Sequence, residues 1–426
     1  MSGIVFSLGL ALVVSRPSPV GVAPPLTPLP AGADEAVAPV AQEGAAPAPE
    51  ITDVERPLLL DDDVDTPVPW HRTDIKIDVR PLDVIFSADG ASVYVSGDDA
   101  TVRAYDVATG RLRHMLTVPA QGDRLVLLYD RYVAVVHRGE ASHIPIVDTE
   151  HWDREPTLLW VGSKPADIVP LGDGKTVLTA SSRGKRLSWW DLETKRRRAN
   201  IKLPHRTEKL HTFDLDGRVY IGAMGSLRRG GRHTGSWIDL FDPSEIPFAA
   251  TRRSIAVGRE PNGHVGLDRR HLIVADRAAN RVSLYDLQGT TPPRSVRVGS
   301  APMAAYLMRQ DRYGVTLDAD SNTATIVDAA TMKRRTTLML PDTPRDGALS
   351  ADRKRLFVIF GGDAWPPRGT GAVILGGDPP QIMQRLETGR GVTRVAARED
   401  GLGAAIIAYR DRLVTVLIPR TERLED

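Results

Sequence analysis

The chain contains no cysteine. Disulfides, thiol nucleophiles, Cys-ligated zinc, iron–sulfur clusters, CxxCH haem attachment and a lipidated-cysteine anchor are therefore excluded. The compartment is not, because thiol-free chains occur on both sides of a membrane. Aromatic residues make up 5% of the 426 residues and apolar residues 42%, so the core must rest on Val, Ile, Leu and Ala. The net charge is +1. Such a molecule has no strong overall field to recruit nucleic acid or membrane, and any charge argument must be local. The apolar run Gly3 to Val14 is too short to span a bilayer and has the length of a signal-peptide h-region. No Lys or Arg precedes it, Arg16 follows it, and the small-residue stretch Ala31-Gly-Ala33 lies far downstream. Residues 1–15 read as a candidate signal segment of a periplasmic or secreted protein, with a cytoplasmic protein as the alternative.

Linear catalytic and ligand motifs are missing too. There is no GxSxG elbow, no HExxH and no GxxxxGK[ST] loop. His205 and His211 are six residues apart, across a loop and a strand. Asp318-Ala-Asp-Ser-Asn322 resembles the start of a calcium loop but lacks its later Gly and Glu. Neither a metal nor a cofactor is expected on this ground.

What is present is a repeat. Residues 16–72 are rich in Pro, Ala and Asp, including Asp61-Asp-Asp-Val-Asp65, and read as an extended linker. Beyond it, strand-like segments end at Val79-Arg80, Val118-Pro119, Val161-Gly162, Leu203-Pro204, Val257-Gly258, Val298-Gly299, Leu340-Pro341 and Thr388-Gly389. The steps between them are mostly 39 to 43 residues, with two of 54 and 48. A period near forty with four short strands per period signals a β-propeller. In the first unit the strands are Leu82–Phe86, Ser92–Val95, Thr101–Tyr105 and Arg111–Val118, with turn residues between them.

Third strands end in Asp106, Asp148, Asp191, Asp242, Asp286 and Asp328, with Gly376 and Pro419 at the last two places. A carboxylate there accepts N–H groups of the following turn, which is a structural role. Counting third strands gives eight blades, with seven as the runner-up. The last unit lacks a fourth strand, while Asp74–Val79 is an unattached strand with a fourth-strand ending. The N-terminal strand is therefore expected to complete the last blade and remove the open sheet edges. The propeller is placed at 73–420, with 421–426 as a tail.

The segment Phe86-Ser-Ala-Asp-Gly to Asp106-Val-Ala-Thr-Gly110 resembles both WD-repeat blades and the YVTN-type propeller repeats of bacterial envelope proteins. Pro81, Pro165, Pro261, Pro302 and Pro344 match the Pro that opens many YVTN-type repeats. Trp190-Asp191 is the one Trp-Asp pair at its position, and the His of the WD-repeat Gly-His pair is absent. The resemblance covers residues 74 to about 420, favours the YVTN type, and implies binding and scaffolding.

In a propeller, the loops after second and fourth strands share one face. The second-to-third loops carry Arg138, Arg183, Lys185, Arg186, Arg228, Arg229, Arg232, His233, Arg277, Arg281, Arg368, Arg410 and Arg412. The fourth-to-first loops add Arg80, Arg124, Lys164, Arg206, Arg259, Arg345, Arg390 and Arg394. Acidic residues there are fewer. Converging Arg forks suit carboxylate, phosphate or an acidic partner. Opposing this, Arg196 to Arg198 and Lys333 to Arg335 show that cations also crowd the other face as solvated, salt-bridged groups. Gly225 to Gly235 reads as a flexible cationic loop, and Trp365, beside Pro and Arg, suits a contact hot spot.

The sequence thus points to a noncatalytic, monomeric propeller that binds an acidic protein or an anionic small molecule through an Arg-rich face. The alternative is a propeller enzyme or cofactor carrier with an axial site, such as a quinone-dependent dehydrogenase.

Overall fold

A computed structural model describes residues 70–419, apart from 138, 140, 204, 216–217, 230–231, 245–252, 259–261, 267–268, 290, 363–366 and 399–402. Side chains are not described for 214, 226–229 and 232–234. Among the described residues thirty-two strands form eight four-stranded antiparallel sheets, and the protein is an eight-bladed β-propeller. Blades one to seven run in chain order as Pro81–Thr117, Arg124–Trp160, Pro165–Lys202, Arg206–Val257, Asn262–Arg297, Pro302–Met339 and Pro344–Leu386. Blade eight takes three strands from Val392–Pro419 and its outermost from the other end of the chain.

That strand, β1 (Trp70–Lys76), lies antiparallel to β32 (Leu413–Pro419), with Ile75 opposite Val414. It starts earlier than the alternation from Asp74 suggested. Pairing continues past its end through Ile77 N–H, which donates to Arg412 O at 2.9 Å. Ile75 and Ile77 are buried in a core shared by blades eight and one, with Val416 and Val93. Each such side chain contributes about 1.5–3 kcal/mol by leaving water. The apolar alternation of Ile75 and Ile77 thus fixes which face of β1 packs inward, and hence its register.

Within a blade the burial gradient follows position. Third strands such as Thr323–Asp328 are buried along their length because both faces pack on neighbouring blades. Fourth strands such as Lys333–Met339 are largely exposed and carry the Arg and Lys runs. The third-strand aspartates cap their turns. Asp106, Asp191 and Asp328 accept backbone N–H groups of Thr109, Thr194 and Thr331. Asp148, Asp242 and Asp286 accept those of Glu150, Ser244 and Gln288.

First strands carry a recurrent bulge. Pairing slips by one residue after Pro81, Pro165, Thr207, Pro302, Pro344 and Val392. The repeated Pro therefore marks the start of a bulge, where a strand tolerates a missing donor. The bulge re-aims the residues that follow it, and these build the channel.

Candidate functional site

Ladder register places Asp83, Arg124, Asp167, Lys209, Asn262, Ala304, Asp346 and Arg394 at equivalent positions on the eight innermost strands. Seven of these eight residues are polar, and they link the blades into a closed girdle. Asp83 accepts Leu125 N–H at 2.6 Å, and Arg124 donates to Asp167 at 2.7 Å. Asp167 accepts Leu210 N–H at 2.9 Å, and Lys209 donates to the Asn262 amide oxygen at 3.2 Å. Asn262 donates to Met303 O, and Tyr306 to Gly347 O. Arg394 closes the circle between Asp346 at 3.4 Å and Asp83 at 3.6 Å. Burial pushes the Asp83 carboxyl up to about 6, against the lowering pull of Arg394 and of Leu125 N–H. Asp346 is likewise raised by burial. For Arg394, burial alone would favour the neutral form, but the two carboxylates outweigh it and hold the guanidinium charged.

Arg124 and Arg394 are therefore not loop cations, as their place after fourth strands had suggested. They belong to first strands and bind carboxylates that are buried at Asp83 and Asp167 and half-buried at Asp346. Sequence reasoning missed Asp83, Asp167 and Asp346 as partners because each looks like one more polar residue beside a turn.

Two clefts open at the end of the channel bounded by the second-to-third and fourth-to-first loops. One, of about 360 Å3, is lined by Lys164, Pro165, Ala166, Ser182, Glu208, Lys209, Met224 and Gly225. The other, of about 200 Å3, is lined by Pro81, Leu82, Asp123, Arg345, Thr393, Arg394 and Tyr409. Each meets the girdle at a cation, Lys209 or Arg394, and each lines up two cations against one carboxylate. The Thr393 hydroxyl in the second cleft is buried without a hydrogen-bond partner. Arg80 stacks over the Tyr409 ring at 5.5 Å beside it.

The cations singled out from sequence distribute around this end. Arg183, Arg186, Arg281, Arg368 and Arg410 are exposed, and Lys185 and Arg277 half-buried. Arg186 and Arg281 begin third strands rather than lying in loops. Arg228, Arg229, Arg232 and His233 sit at the tip of a hairpin of β15 (Arg218–Arg229) and β16 (Arg232–Phe241), where Arg229 pairs with Arg232. Gly225 to Gly235 is thus mostly ladder rather than a flexible loop. A side chain at Gly225 would put its Cβ 1.7 Å from Arg206 O, so glycine serves close strand approach there. Arg138 and Trp365 lie outside the described residues.

On the opposite face several arginines are engaged. Arg113, Arg198 and Arg335, in fourth strands, reach back to the third-strand carboxylates Asp106, Asp191 and Asp328. Arg131 and Arg270 do the same for Asp148 and Asp286. Asp148, Glu150 and His151 stand close enough to hold a cation. Arg131 binds both carboxylates, at 2.6 and 3.2 Å, and holds the Asp148 carboxyl down to about 2. That arrangement neutralises the cluster from within. In the stretch Asp318 to Asn322 the first carboxylate is buried and satisfied from within, Asp318 accepting hydrogen bonds from Thr316, Thr323 and Thr325, while Asp320 is exposed. His205 and His211 part company. His205 stacks on Trp237 and its Nε2 lies 2.5 Å from Asp239, whereas His211 lines the channel.

No family model matches the chain, and no curated protein matches it. Among solved structures it is similar to a chain of Kuenenia stuttgartiensis hydrazine synthase, with a TM-score of 0.52 and 18% identity over 82% of this chain and 98% of that one. At this identity the likeness is one of fold. Among the described residues no helix is long and apolar enough to cross a membrane.

Proposed function

We propose that the protein is a noncatalytic binding module that presents the cleft-bearing end of its channel to an acidic protein or an anionic ligand. The observation that carries this reading is the cation excess of the two clefts. One end of the channel opens into two clefts that each line up two cations against one carboxylate, Lys164 and Lys209 with Glu208 and Arg345 and Arg394 with Asp123, and exposed arginines stand on the loops of the same face. Guanidinium groups suit planar anions because they offer paired donors. The Pro-opened bulges favour a YVTN-type relationship, and with it an exported, monomeric envelope protein. Intact mass of the mature chain checks removal of the N-terminal segment.

The test is retention of the full chain on immobilised poly-glutamate at rising salt. Retention should fall as ionic strength rises, and the triple charge reversal Arg183→Glu, Arg229→Glu and Arg232→Glu should abolish it. Unchanged retention by that variant overturns the proposal. An enzyme or cofactor carrier with an axial site is the second reading, favoured by an arc of titratable side chains inside the channel. A chromophore in the absorbance spectrum of protein purified from its source would support it.

A further inference from the structure

Two residues beyond the girdle, register brings a second ring to the lumen. It consists of Ile85, Val126, Val169, His211, His264, Tyr306, Ala348 and Ala396. All eight are half-buried although eight inner strands surround them, so the lumen is open at this level. The ring is two-sided. Blades four to six contribute two imidazoles and a phenol, and the other five blades contribute only aliphatic side chains.

The polar side is built for a negative charge. His264 stacks obliquely on Tyr306 with ring centroids 5.8 Å apart. Nε2 of His211 and Nδ1 of His264 are buried and have no hydrogen-bond partner. Lys209 stands one layer above. Arg353, anchored to Asp311 at 2.6 Å and donating to Val265 O at 2.9 Å, stands next to His264 along its strand. Burial, Lys209 and the neighbouring imidazole keep His211 neutral, and burial with Arg353 and Lys209 lowers His264 to about 3. Neutral imidazoles each retain an N–H donor, in a field set by nearby cations. The inner-strand carboxylates Asp83, Asp167 and Asp346 are held by Arg124 and Arg394 on other blades.

We propose that the lumen binds a small organic monocarboxylate, its carboxylate at His211 and His264 and its apolar body against the Ile85, Val126 and Val169 wall. A charged group meets donors on one side while hydrocarbon leaves water on the other, the usual division of labour in a small-ligand site. This site is separate from the loop-face surface and does not depend on it.

The experiment is calorimetric titration of the full chain with acetate, butyrate and hexanoate. Affinity should rise by about fourfold per added methylene. His264→Phe, which keeps a ring of similar bulk, should weaken hexanoate binding at least about tenfold by removing a charge-assisted donor. Should that variant fail to fold, titration of the histidine ring protons in the unaltered protein decides. Saturating hexanoate should raise the apparent pKa of His264, because a bound anion favours the imidazolium. The triple reversal at Arg183, Arg229 and Arg232 should leave hexanoate binding unchanged while losing poly-glutamate retention, so the two proposals fail separately. Absence of hexanoate binding, or binding insensitive to chain length and to His264→Phe, overturns this one.

Discussion

At the scale of single residues, the buried carboxylates of the girdle set the energetics. Arg394 serves Asp83 and Asp346 at once. Arg394→Gln removes the cation that both carboxylates share, leaving only the more distant Arg124 and Lys209, and should cost about 2 kcal/mol in urea unfolding, below the figure for a fully buried pair because the side chain is a third exposed. Asp83 also predicts a pH dependence. Its carboxyl is raised in the folded state from 3.8 to about 6. The folded protein therefore holds that proton more tightly, and stability falls as pH rises from about 4 to about 6. Asp83→Asn should remove this term, so its stability relative to the unaltered protein rises across the same window. Measuring urea midpoints at both ends checks the sign. His264 acts in the opposite sense: lowered to about 3, it favours the folded state above about pH 6.5, and that contribution is lost as pH falls. These roles were not legible in the sequence. Arg124 and Asp167 are 43 positions apart, and their opposite charges face one another only once the first strands of two neighbouring blades, the second of them bulged, are set side by side.

At the scale of elements, the sequence was far more informative. The third-strand Asp followed by a Thr- or Gly-containing turn is a local signal, because donor and acceptor lie within three residues. Asp328→Ala should destabilise through loss of the Thr331 and Arg335 contacts, read as a lowered thermal midpoint. The N-terminal strand was visible for the same reason: Ile75 and Ile77 alternate with polar neighbours, and no other segment was left to complete blade eight. Its first turn of pairing, Trp70 to Thr73, was not visible because Trp-His-Arg-Thr has no period-two alternation. Trp70 is held instead by the Gln384 side chain at 2.8 Å and by edge contact with Phe357, both on blade seven. Ile75→Ala should cost about 3 kcal/mol, because its cavity lies between two blades that cannot close over it. The Gly225 to Gly235 hairpin shows the converse failure. Glycine content suggested mobility, whereas Gly225 permits the strand to approach Arg206.

At the scale of the whole molecule, a near-neutral chain separates its cations by role. One face uses arginine to brace third-strand turns, the channel uses it to neutralise buried acids, and the clefted end displays it. All three roles require that the ring be closed in the order found. The absence of cysteine makes closure directly measurable. Lys76 and Leu413 are ladder partners at opposite ends of the chain. In the double variant Lys76→Cys, Leu413→Cys, mild oxidation should yield a monomer two hydrogens lighter with a raised thermal midpoint, since the bond closes a very long loop. Persistence of two free thiols in the folded monomer, or disulfide formation only between molecules, would contradict a propeller sealed by its N-terminal strand.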